Sequence, residues 1–238
     1  MQKNVSDISI IGIISSPHRN GNSASLARKV LEGARSMGVN TEEIYLPDYS
    51  LDFCRGCMSC CSGEKCIIND DLNPIIEKII GCDGMVLSSP TYGLSPNALM
   101  MNFMQRAGIY CVYRSALGGK YTVGVASAGR FGAKKVAKEL SKFADGLFKA
   151  GYKVGVIGAR GAEEGWGGVE SYFPKAEELG KKLVRAIIKG KKYLHQGLFM
   201  KVLGALFMHK IMKKNLEKNR DGAMKGVYEY LLEKDIIT

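Results

Sequence analysis

Five times along the chain, a short apolar or β-branched run gives way to residues at helical spacing, and this alternation limits the fold more than any other feature. The first run, residues 8–14 (Ile-Ser-Ile-Ile-Gly-Ile-Ile), is apolar at nearly every position. A strand reads this way when helices cover both faces of its sheet. Leu26, Val30, Ala34 and Met37 follow at helical spacing up to a Gly38 stop. Further strands are predicted at 42–46, 84–87, 121–126 and 153–157. Between them, one helix runs through Ile75, Ile76, Ile79 and Ile80, with Asp70-Asp71 as its cap. Others run through Leu99, Met100, Phe103 and Met104, and from about 133 to 150, with a last core helix near 175–189. The pattern predicts an α/β doubly wound parallel sheet in residues 1–189. A length of 238 residues suits one such domain with an appendage, or two small domains, and an apolar share of 46% is enough for a sizeable core.

The loop after the second strand, residues 50–69, holds Cys54, Cys57, Cys60 and Cys66, with Cys61 beside Cys60. Thiolates so close in sequence can converge on one small object, and a cubane [4Fe–4S] cluster takes four cysteine sulfurs. A structural zinc is a second reading, although the long separation between two Cys-x-x-Cys knuckles is missing. Free or redox-active thiols are the third. Cys61 reads as a spare thiol, and Cys82 and Cys111 as buried small hydrophobes. Seven cysteines, five of them bunched, do not resemble a secreted disulfide scaffold, so a reducing cytoplasm is the expected compartment. Neither a signal peptide nor the run of ~18 uncharged apolar residues that a membrane span needs is read.

In open parallel sheets, ligands bind beyond the carboxyl ends of the strands. The loop after the first strand offers Ser15, Ser16, Arg19, Asn22 and Ser23 as donors beside a helix N-terminus, which is an anion site by geometry. It has neither Gly-x-Gly-x-x-Gly nor Gly-Lys-Ser/Thr, so a monophosphate is the natural guest. A polar helix cap alone would look the same. Pro90, Thr91, Tyr92 and Gly93 after the third strand add an aromatic face. Ser127, Ala128 and Gly129 after the fourth let a flat ring approach the backbone. Together they suit a planar ring with a phosphate tail, and FMN fits that description.

Three stretches resemble the NADPH-dependent FMN reductase group of flavodoxin-like proteins: 15–23 (Ser-Ser-Pro-His-Arg-Asn-Gly-Asn-Ser), 88–92 (Ser-Ser-Pro-Thr-Tyr) and Phe103-Met104-Gln105-Arg106. The cysteine cluster before Asp70-Asp71 resembles the iron–sulfur flavoprotein branch more narrowly, and the likeness covers about residues 5–190. The resemblance implies a flavodoxin-like five-stranded sheet of order 2-1-3-4-5, FMN at its C-terminal edge, and a homo-oligomer (dimer or tetramer). It also implies that Ser15, Arg19, Asn22 and Ser23 hold the phosphate. Pro90, Thr91, Tyr92 and Gly93 would line the isoalloxazine, with Ser127, Ala128 and Gly129 opposite. Gly93-Leu94 stands where the family often has a bulky or aromatic residue, and 127–130 holds less glycine than is usual; both departures bear on ring packing.

The function expected is that of a flavin-dependent oxidoreductase passing electrons between a donor (ferredoxin or NAD(P)H), FMN and a [4Fe–4S] cluster. The alternatives are an NAD(P)H-dependent FMN, quinone or azo reductase without a cluster, and a non-enzymatic flavin- or metal-binding regulator. The net charge is +11, but residues 189–225 hold ten Lys/Arg and only two acids. The basicity therefore belongs to a helical C-terminal extension, 190–238, and argues little for nucleic acid. Apolar groups at 198–200, 202–203, 206–208 and 211–212, with lysines scattered among them, predict a subunit contact or active-site cover rather than a membrane-surface helix. Trp166 is expected either over a neighbour's flavin or packed within its own Gly-rich loop.

Overall fold

Five long parallel strands build the sheet in the computed structural model, which describes residues 4–63, 65–161, 168–193 and 209–237. They are β1 (Ser9–Ile14), β2 (Asn40–Tyr45), β3 (Gly84–Tyr92), β4 (Tyr121–Ala128) and β5 (Tyr152–Arg160), in the order β2-β1-β3-β4-β5. A two-residue arm, Ser95–Pro96, folds back antiparallel on the end of β3. The expected strand order therefore holds. β3 and β4 run further than their apolar stretches suggest, because Ser88, Ser89 and Pro90 stay in register with Val125, Ala126 and Ser127.

Helices α1 (Asn22–Arg35) and α6 (Phe173–Ile188) cover one face of the sheet, where Leu26, Val30, Leu183 and Val184 pack on Ile10 and Val123. Next in the chain after β2 comes a four-residue helix, α2 (Ser59–Ser62), in the cysteine loop. The other face is covered by α3 (Leu72–Gly81), α4 (Ala98–Arg114) and α5 (Ala133–Leu140), with Ile75, Phe103 and Val136 on Ile13 and Leu87. Each fully buried Ile, Leu or Phe contributes roughly 1.5–3 kcal/mol relative to exposure. β1 sits under both layers, which explains its nearly unbroken apolar run.

Two local expectations change. The helix expected over 133–150 ends at Leu140, where Thr122 Oγ1 donates to the Ser141 carbonyl at 2.6 Å and Ser141 Oγ donates to Lys138 O at 2.8 Å. The chain then turns so that Gly146 abuts Ser115, where a Cβ would stand 2.6 Å from the Ser115 Cα. Asp71 occupies the N-cap position of α3, but its carboxylate accepts from Ser50 N at 2.7 Å instead of capping. Asp70 takes over, accepting from Leu72 N at 3.1 Å.

The described part of the extension forms α7 (His209–Lys218) and α8 (Lys225–Glu233). Leu216, Val227, Leu231 and Ile237 gather around the buried Cys61, with Ile109 and Tyr113 of α4 at the edge. Gly226 lies so close to the cysteine loop that a Cβ there would stand 2.1 Å from the Gly63 carbonyl oxygen. The extension thus covers the cysteine loop of its own chain. Tyr193 still belongs to the core under α1 and α6, so core packing continues past residue 189. Trp166 and the apolar groups at 198–208 lie outside the described residues. Among the described residues, no helix is long and apolar enough to cross a membrane.

Candidate functional site

The carboxyl ends of β1, β3 and β4 frame a cleft of about 480 Å³, a size suited to a small-molecule ligand. It is lined by Ser16, Asn22 and Ser23, by Pro90, Thr91 and Tyr92, and by Ser127, Ala128 and Gly129. His18, Asn20 and Gly21 complete the lining, though their residue types alone did not single them out. Gly21 is the N-cap of α1 and no side chain caps that end, nor does an acid stand in its first turn. The helix end therefore offers backbone N–H groups and the positive end of its dipole to an anion. At the same end, Ser23 Oγ is buried without a hydrogen-bond partner, as is Thr91 Oγ1 on the opposite wall. Buried hydroxyls are rarely left so, and both suit a polar ligand in the cleft.

Not every expected residue faces this space. Ser15 Oγ donates to Ser88 O at 3.1 Å and thereby ties the first loop to β3. Arg19 Nη2 donates to both Asp48 carboxylate oxygens, at 2.6 and 2.7 Å, and the guanidinium lies over the Tyr45 ring, 4.3 Å from its centroid. Gly93 turns the chain with φ +56° beyond the lining. Asn97 is a structural residue that the motif reading passed over. Its Nδ2 donates to Ser15 O at 2.6 Å, its own N–H donates to Ser89 Oγ at 2.9 Å, and its Oδ1 caps α4 through Met100 N at 3.1 Å. An Asn directly before a helical apolar pattern was the available signal.

The cysteine loop forms a second, smaller cavity that shares no lining residue with the first. Cys54, Cys57, Cys60 and Cys66 all line it, with Met58, Ile68, Arg106 and Ile109. A donor set of sulfur alone suits a soft metal or an iron–sulfur cluster. Among the described residues, however, no three His, Cys, Asp or Glu side chains converge in ligating geometry. The loop is anchored from α4. Arg106 pairs with Asp70, their side chains only 1% and 4% exposed, and donates to Asp52 O at 2.8 Å and towards Cys66 Sγ at 3.4 Å. Its Nε has no partner and lies buried at this cavity. Asn73 of α3 holds the Cys66 backbone at both ends, at 3.1 and 2.8 Å.

Electrostatics follow from these contacts. Burial raises the Asp70 pKa, but the Arg106 hydrogen bond, the N–H groups of Leu72 and Asp52 and the Arg106 charge outweigh it, leaving a net lowering. Hydrogen bonds from the Ser59 side chain and backbone lower the exposed Cys57 thiol. A hydrogen bond from Cys60 draws Cys61 down, with help from the Arg114 charge and against burial. Burial pushes Cys82 and Cys111 up to about 12, so both stay neutral thiols packed in the core, as expected.

The sequence profile of the NADPH-dependent FMN reductases matches residues 8–157, which span the cleft and the cysteine loop. The chain belongs to the NADPH-dependent FMN reductase family. It is accordingly a flavin-dependent oxidoreductase. An iron–sulfur flavoprotein of Archaeoglobus fulgidus is 28% identical over 230 residues, covering 95% of this chain and 99% of that one. A flavone reductase structure superposes with a TM-score of 0.57 at 17% identity over 76% of this chain, which spans 63% of that one. A flavodoxin from the domain Archaea superposes at 0.50 with 14% identity, covering 76% of this chain and 99% of that one. At such identities the two structures speak for the fold, which is flavodoxin-like.

Proposed function

We propose that this reductase-family member binds FMN in the cleft at the ends of β1, β3 and β4 and a [4Fe–4S] cluster on Cys54, Cys57, Cys60 and Cys66. It then relays electrons between a donor (ferredoxin or NAD(P)H), the flavin and the cluster. The observation that carries the flavin part is the uncapped N-terminus of α1 beside the unpartnered Ser23 hydroxyl, inside a cleft of about 480 Å³. Asn22, Ser23 and the first N–H groups of α1 would hold the phosphate. Pro90, Thr91 and Tyr92 would flank the ring on one side, with Ser127, Ala128 and Gly129 on the other. Ser15 and Arg19 would act indirectly, by fixing the loop through Ser88 and Asp48. Bound FMN supplies a ring able to take either a hydride or single electrons, which joins two-electron and one-electron partners.

Support for the cluster is the shared cavity of the four cysteines together with the full-length likeness to an iron–sulfur flavoprotein. A reductase without a cluster is the second reading, favoured by the absence of converging ligands among the described residues. Homo-oligomerisation and a cytoplasmic location complete the reading, the latter from seven cysteines of which five are bunched, unlike a secreted disulfide scaffold. Anaerobic purification with flavin, iron and acid-labile sulfide counted per chain tests it. Stoichiometric FMN with four iron and four sulfide per chain, on the order expected for a cubane, is the predicted result. Flavin without iron supports the second reading, and a preparation that binds no flavin under saturating FMN refutes both. Ser23→Ala should weaken FMN binding about tenfold, the scale of one hydrogen bond to a charged group.

A further inference from the structure

Arg114, at 1% exposure, is the largest fully buried side chain among the described residues. It ends α4, and its guanidinium donates to the carbonyls of Cys60 and Gly63, each at 2.6 Å. It lies over the Tyr110 ring at 4.2 Å from the centroid and reaches Tyr230 of α8 at 5.9 Å. Arg106, earlier on the same helix, has Asp70 as its counter-charge. No carboxylate among the described residues pairs with Arg114, although Glu229 and Glu233 stand around the same hollow of about 220 Å³. Burying a cation without an anion is costly, and two carbonyls and a ring compensate only in part. The charge is also covered on the side of α8. A Cβ at Gly226 would stand 2.1 Å from Gly63 O and 3.1 Å from Arg114 Nη2, so α8 closes over the guanidinium at a position where only glycine fits.

A buried cation held against one particular loop calls for an anion in that loop. We propose that Arg114 is the counter-charge of a thiolate-ligated iron–sulfur cluster on the cysteine loop, and that its charge sets how readily the cluster is reduced. This rests on the cluster reading above. Four thiolates make such a cluster net negative, and reduction adds one electron with no bond broken and no proton moved. A fixed positive charge in a low-dielectric setting favours the reduced form over the oxidised one, which raises the potential. Because its hydrogen bonds go to backbone carbonyls, Arg114 is a positioning and charge-setting residue, not a catalytic one.

Three full-length variants, reconstituted anaerobically, separate charge from tether: Arg114→Gln, Arg114→Lys and Tyr230→Glu. Iron and sulfide are counted first, and the cluster midpoint is then measured by optical redox titration. Arg114→Gln should keep its cluster while the reduction equilibrium falls about tenfold, ~59 mV for one electron. Tyr230→Glu should shift the same way, because it pairs the guanidinium charge and leaves both hydrogen bonds in place. It also carries the test should Arg114→Gln fail to fold. Arg114→Lys, which keeps the charge and loses the fork, should stay within about twofold of the wild type. A wild-type midpoint in loaded Tyr230→Glu overturns the proposal. So do equal shifts, or equal losses of iron, in the Gln and Lys variants, which would make Arg114 a backbone tie. A wild-type preparation without iron and sulfide removes the cluster reading itself, and this role with it.

Discussion

At the scale of single residues, the cysteine loop is held by a pair of charges, one at its own end and one far along the chain on α4. Asp70 and Arg106 form a nearly dry pair, so removing one partner strands the other. Asp70→Asn should cost about 3–5 kcal/mol, read as a lower urea midpoint at neutral pH. The sign of the pH dependence follows from the lowered Asp70 pKa. A carboxylate depressed on folding stabilises fully above its ordinary value, about 3.9, and loses that contribution as pH falls through the folded value. The gap between wild type and Asp70→Asn should therefore be constant from about pH 7 to about pH 5 and close on further acidification. A gap that widens with acid would assign Asp70 a different role. Residue roles were only partly legible. Asn22 and Ser23 were expected at the cleft because donors precede a helical pattern, and both line it. Arg19 belongs to the same motif, but Asp48, far along the chain, captures it. Arg114 at a helix end looks like an ordinary complement to the helix dipole, and only the folded contacts reveal its burial.

At the scale of elements, the inner strands β1, β3 and β4 were legible because burial on both faces leaves a nearly unbroken apolar signature. Where strands outlast that signature, as β3 does through Ser88 and Ser89, pairing with β4 decides the length. Helix ends proved harder, since α5 stops where Thr122 reaches the Ser141 carbonyl, a contact between separate elements. Close approach of helices was not legible at all. Gly33 and Gly180 let α1 and α6 pack backbone to backbone: a Cβ at Gly180 would stand 1.9 Å from Val30 O, and one at Gly33 2.0 Å from Glu177 O. Such distances force the helices apart, which in a packed core costs about 1–3 kcal/mol. Gly180→Ala should lose about that much in urea unfolding and retain flavin, because the cleft lies at the carboxyl end of β1, β3 and β4 and draws no lining residue from α6. Unchanged stability would mean that α6 docks differently from its place here.

At the scale of the whole molecule, the chain divides its labour between a sheet that frames the cleft and a tail that closes the cysteine loop. The two cores above and below the sheet draw on residues up to Tyr193 and on none of α7 or α8. The third cluster is built from the tail: Leu216, Val227, Leu231 and Ile237 around Cys61, each worth roughly 1.5–3 kcal/mol of burial. A chain ending at Tyr193 should therefore keep its sheet and its FMN, while the loop loses both its apolar cover and the seal over Arg114. Cys60, half-buried, and Cys61, buried within the tail's cluster, would meet water and oxidant, and iron and sulfide should fall well below the full-length count. The decisive measurement is the ratio of iron to flavin in the two proteins, prepared side by side without oxygen. A shortened chain with full flavin and full iron would make the tail dispensable to the cysteine site. One that loses flavin as well would tie the tail to the cleft, whose lining draws no residue from α7 or α8.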